Sequence, residues 1–138
     1  MRPVGVVTAT ALLLALLAWS AAPARAGHGN LVMALDPDYV QAQYEKGRKL
    51  TAIDLRSVKE FRQGHLPGAR SLPFDQLTAR FAEVPRTDLV ILYCDCKPYD
   101  IADRAVFLEY RGYRNIFIMP EGYSGWVKRG YPIETSRR

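Results

Sequence analysis

The sequence predicts an α/β domain built on a largely parallel sheet. Three observations carry this. Short runs of strand formers alternate with segments of helical periodicity. The connections between them are mostly short, as in successive β–α–β units. The chain of 138 residues has room for one domain with a proper core, not two.

The first 26 residues stand outside that pattern. Met1-Arg2 is a short positive start, Val4 to Trp19 is an uncharged apolar run, and Ala24-Arg25-Ala26 is a small-x-small cleavage site. This reads as a secretory signal peptide over 1–26, cut before Gly27, with a single domain over 27–138. The apolar run is slightly short for a spanning helix, so no membrane association is expected after cleavage. Loss of Arg2 and Arg25, with no acid in that segment, takes the net charge from +5 to +3. No basic run is interleaved with aromatics, so nucleic acid is not expected as a partner. The Ala-rich leader looks bacterial and places the mature chain in the periplasm or outside the cell. The periplasm is oxidising, so two cysteines one residue apart need an explanation there.

Along the mature chain, Leu31-Val32-Met33 is a short edge strand. Asp36-Pro37 pairs an N-cap with a first-turn proline, and the helix it opens runs to about Lys46, before Gly47. Lys49 to Leu55 is a buried strand. Ser57 and Glu60 form a capping box for a short helix that ends near Gly64. A turn over His65–Arg70 leads to a strand at Ser71-Leu72 and a modest helix from Pro73 to Ala82. Leu89 to Tyr93 is a central strand, and a helix follows from Ile101 to about Arg111. Asn115 to Met119 is the last strand, and Ser124 to Arg129 a short closing helix.

The only two cysteines, Cys94 and Cys96, sit where the apolar run Leu89–Tyr93 ends. Sites in parallel sheets form where strand C-terminal ends meet loops. Loop amides and a helix N-terminus both favour negative charge on sulfur, so Cys94 is the candidate nucleophile. The candidate loop is Asp95, Cys96, Lys97, Pro98, Tyr99 and Asp100. Asp95 and Asp100 are expected to raise the Cys94 pKa and to repel an anionic donor, with Lys97 offsetting part of this. Asp100 also reads as the N-cap of the following helix, with Asp103 in its first turn.

Three stretches together resemble the rhodanese family. Asp54 to Ala69 matches its first signature at Asp54, Arg56, Glu60, Phe61, Gly64-His65 and Gly68-Ala69. Leu89 to Cys94 looks like the strand that carries the family's cysteine. Glu121 to Trp126 resembles its closing Gly-x-x-x-Trp signature. The resemblance covers about Leu31 to Glu134. It implies a rhodanese-like fold, with helices on both faces of the sheet. Within it, Asp54, Arg56, Glu60, His65, Gly68 and Trp126 read as structural: an ion pair, a helix cap, a turn and a cover for the core end.

The resemblance also implies sulfur transfer. A Cys94 thiolate would take sulfane sulfur from a small donor such as thiosulfate and pass it to a thiol or cyanide, or to a periplasmic protein acceptor. It implies no metal and no organic cofactor, and the chain is expected to work as a monomer. The loop resembles a Cys-x-Cys variant of the family, and it lacks the usual loop glycine and arginine. Cys96 is open between a resolving thiol, a disulfide partner of Cys94 and a bystander. Two further readings remain beside sulfur transfer: a thiol–disulfide redox protein using Cys94 and Cys96, and a non-catalytic binding module. A cysteine phosphatase is excluded because the first arginine after Cys94 is Arg104, inside the expected helix. Structural zinc is excluded because two cysteines with His65 and His28 do not make a ligand set.

Overall fold

The computed structural model describes residues 32–136. The expected signal peptide, the stretch through Leu31 and the terminal arginines lie outside the described residues. Five strands, β1 (Met33–Ala34), β2 (Leu50–Asp54), β3 (Arg70–Ser71), β4 (Leu89–Tyr93) and β5 (Ile116–Met119), form one sheet in the order β1-β5-β4-β2-β3. Every pairing is parallel. Five helices connect or follow them: α1 (Pro37–Glu45), α2 (Val58–Gln63), α3 (Leu77–Arg80), α4 (Pro98–Tyr110) and α5 (Gly122–Lys128).

Residues of β2 and β4 alternate between two cores, as the period of a strand dictates. Val90, Leu92 and Cys94 join Ile53 and Leu55 against Ile101, Ala105 and Leu108 of α4 and Leu77 of α3. Ile91 and Tyr93 join Ala52 against Val40 of α1, Leu66 and Trp126 of α5. Helices therefore cover both faces, as the sequence predicted. Both central strands are buried on each side, which is why they read as continuous apolar runs rather than alternating ones.

The expected boundaries at α1 and α2 hold closely. The Asp36 carboxylate accepts from the Tyr39 N–H at 2.6 Å, and Pro37 occupies the first turn. Ser57 and Glu60 close the capping box in both directions.

Several boundaries differ from the expected ones, among them β3, which is Arg70–Ser71 rather than Ser71-Leu72. The first strand extends to Ala34, where Leu35 N–H donates to the Ile118 carbonyl at 2.8 Å. The helix expected over 73–82 contracts to Leu77–Arg80 and continues as a 3₁₀ turn over Phe81–Glu83. The Phe74 N–H donates to the Leu55 carbonyl, which ties the start of this segment to the end of β2. The helix expected from Ile101 begins at Pro98 instead, because proline suits the first helical position, where no N–H is needed. The closing helix begins at Gly122, two residues before the expected Ser124.

Candidate active site

The site lies at the C-terminal ends of β2, β4 and β5. Because α4 starts at Pro98, the loop after β4 is only Cys94–Lys97. Cys94 is 4% exposed and packs as the last inward residue of its strand. Cys96 is half-buried against the same core. The two cysteines are joined as a disulfide, with their Cα atoms 5.3 Å apart. Of the three readings of Cys96, the structure displays the disulfide partner.

Asp100 does not cap α4. It sits in the first turn, and the capping position belongs to Lys97, which supplies no side-chain hydrogen bond. The expected N-cap role of Asp100 is thus corrected by the earlier helix start. The N-terminus of α4 keeps its unpaired amides beside the cysteine pair. Among the described residues, no hydrogen bond uses the N–H of Asp95, Cys96, Lys97 or Tyr99. These donors and the helix dipole favour a thiolate there. Lys97 is exposed, with its ammonium 5.6 Å from the centre of the exposed Tyr99 ring.

Asp95 has a partner that its sequence reading did not include. Its carboxylate accepts from the Ser124 N–H, in the first turn of α5, at 2.8 Å. Its charge is therefore engaged by a backbone donor, and the residue ties the cysteine loop to the last helix. Nothing in the sequence connected these positions, which lie 29 residues apart. Gly122 makes the close approach possible. Its φ is +63°, and a Cβ there would run into the Cys94 carbonyl oxygen and the Asp95 carboxylate.

At the paired ends of β2 and β4 is a buried polar network. Asp54 is fully buried and pairs with Arg56, Nη2 to Oδ2 at 2.6 Å and Nε to Oδ1 at 3.0 Å. Arg56 also donates to the Gly64 carbonyl at 2.7 Å and stacks on the Tyr123 ring at 3.8 Å. The Tyr93 hydroxyl donates to Asp54 at 2.7 Å and accepts from the Leu66 N–H at 3.2 Å. Burial works against the charge on Arg56. The hydrogen bonds and charge of Asp54, with smaller contributions from Tyr93 and Asp95, outweigh it and hold the pKa above its ordinary value. Burial and the Asp54 charge push the Tyr93 hydroxyl far up, so it stays a neutral donor. The Asp54–Arg56 pair was legible in the sequence; Tyr93 and Tyr123 as its partners were not.

The remaining signature residues serve the scaffold. His65 Nδ1 lies 2.7 Å from the Phe61 carbonyl, so it carries the proton and donates, and its ring stacks on Phe61. Gly68 takes φ +65° in the following turn, and its N–H reaches Glu134 at 2.9 Å. Glu60 closes the helix cap. Trp126 is fully buried, and its ring N–H donates to the Pro132 carbonyl at 2.8 Å.

Fold and site together define a class of protein: a parallel α/β domain that presents a cysteine from a central strand at the start of a helix. The rhodanese-like domain model matches residues 36–129, and the chain belongs to that family. A sulfurtransferase from Allochromatium vinosum is 25% identical over 105 residues, spanning 75% of this chain and 95% of the relative. The thiosulfate sulfurtransferase GlpE of Haemophilus influenzae is 31% identical over 84 residues, spanning 61% of this chain and 79% of the relative. A rhodanese-related protein from Thermoplasma volcanium shares the fold at a TM-score of 0.66 and 19% identity, covering 75% of this chain and 99% of that structure.

Proposed function

We propose that the chain is an exported sulfurtransferase that carries sulfane sulfur on Cys94. The observation that carries this is the placement of Cys94: the end of a central parallel strand, against the uncapped N-terminus of α4. Relatives named as sulfurtransferases support the reaction class. The leader-like pattern of Met1–Ala26 supports export to an oxidising compartment.

The cycle starts from the reduced pair. The disulfide occupies the Cys94 sulfur, so a dithiol must first deliver two electrons and open it. The Cys94 thiolate then attacks the outer sulfur of thiosulfate. The S–S bond of the donor breaks, sulfite leaves, and a persulfide remains on Cys94. The amides at the start of α4 stabilise the negative charge that passes between the sulfurs. A thiolate or cyanide next attacks the outer sulfur and releases the Cys94 thiolate. Asp95 and Gly122 hold the loop in register with α5, and the Asp54–Arg56 network ties the ends of β2 and β4 together through Tyr93.

The test is thiocyanate formation from thiosulfate and cyanide by the reduced protein. Cys94→Ser is expected to lower kcat/KM on the order of a thousandfold or more. Equal rates for wild type and variant would overturn the proposal.

A further inference from the structure

We propose that Cys96 resolves the Cys94 persulfide, so that the chain releases hydrogen sulfide and acts as a dithiol-driven reductase of sulfane sulfur. This rests on the reading of Cys94 as the sulfur carrier and adds a second reaction to it.

The juxtaposition of the two thiols carries the inference. Their Cα atoms are 5.3 Å apart, inside the range that a disulfide spans, and Cys96 packs against the same core cluster that holds Cys94. A Cys96 thiolate in this position addresses the inner sulfur of a Cys94 persulfide, the atom to which it is bonded in the structure. Attack there forms the Cys94–Cys96 bond and breaks the bond to the outer sulfur, which leaves as hydrosulfide. Hydrogen sulfide is more acidic than an alkyl thiol, so hydrosulfide leaves more readily than a cysteine thiolate would. The atoms and electrons balance within the protein. The sulfane sulfur is reduced by two electrons, and the two cysteines are oxidised to the disulfide.

The burial of the two sulfurs orders the remaining steps. Cys94 is 4% exposed, whereas Cys96 is half-buried. An external thiolate therefore meets Cys96 first. It forms a mixed disulfide there and frees Cys94 as a thiolate at the start of α4. The second thiol of the dithiol then releases Cys96. Over one turnover, thiosulfate and a dithiol give sulfite, hydrogen sulfide and the oxidised dithiol. A Cys94–Cys96 disulfide is thus the product of the resolving step and the substrate of the resetting one.

A single turnover separates this from simple sulfur transfer. The purified protein is reduced with dithiothreitol, freed of it without air, and given thiosulfate with no acceptor. Wild type is expected to release one equivalent each of sulfite and sulfide per chain. Its mass should end two hydrogens below the reduced chain. Cys96→Ser is expected to release sulfite without sulfide and to end one sulfur heavier, as a persulfide on Cys94. Sulfite without sulfide from wild type, with the added sulfur retained on either cysteine, would overturn the resolving role and leave Cys94 as carrier. Absence of sulfite from both forms would overturn the carrier reading and this inference with it.

Discussion

Gly122 is the residue through which the last helix reaches the cysteine loop. It holds a left-handed backbone conformation, and the space that a side chain would need is filled by the Cys94 carbonyl and the Asp95 carboxylate. A methyl group there must push the loop off α5 and break the Asp95–Ser124 hydrogen bond. Gly122→Ala is expected to lower stability by about 1–3 kcal/mol. Because the reacting sulfur moves with the loop, kcat for thiocyanate formation should fall on the order of a hundredfold. Denaturant midpoints and steady-state rates on the same preparations check both. A stable variant with an unchanged kcat would show that the loop is positioned by other contacts.

At the scale of elements, α2 is the clearest case of local sequence deciding local structure. It buries none of its residues in the core, so its capping box carries much of its definition. Ser57 hydroxyl and backbone hydrogen bonds hold the Glu60 carboxyl below the usual range. A carboxylate whose native pKa is lowered adds stability above its unfolded value, about 4.3 for glutamate, and loses that contribution as pH falls through the native value. Ser57→Ala is therefore expected to cost about 1 kcal/mol at neutral pH. The difference from wild type should shrink as Glu60 takes up its proton in acid, which unfolding curves across pH would show. The α4 boundary teaches the complementary lesson. Pro98 sits at the first helical position, and the short loop this leaves is what holds Cys94 and Cys96 within bonding reach.

At the scale of the molecule, strand order decides where the site lies. The loop after β4 feeds α4 on one face, while the segment after β2 returns through Leu66 on the other. β2 and β4 are neighbours whose connections diverge, the arrangement at which parallel sheets place their sites, and Arg56 and Cys94 follow their C-terminal ends. The disulfide adds little to this architecture, because it links positions only two apart in sequence. Chain-entropy arguments give so short a closure about 1–2 kcal/mol. Reduction is therefore expected to shift the denaturant midpoint slightly and to leave the far-ultraviolet circular dichroism unchanged, so the chain cycles between thiols and disulfide as a folded protein. Unfolding on reduction would contradict a working cycle of this kind.

The sequence by itself determined the elements and their class. Asp36-Pro37, the Ser57–Glu60 box and the apolar runs of β2, β4 and β5 act over a few residues, so their physics is local and legible. The Asp54–Arg56 pair was legible for the same reason, with one residue between strand end and guanidinium. Only the tertiary structure decided what surrounds Cys94. Asp95 read only as a loop charge, and α5 supplied its Ser124 amide as a partner. Tyr93 and Tyr123 looked like core and cover until the sheet brought them to the Asp54–Arg56 pair. Strand order sets these contacts, and it depends on how two faces of a sheet are buried at once, which no local pattern encodes. That same packing buried Cys94 and left Cys96 the more open to solvent.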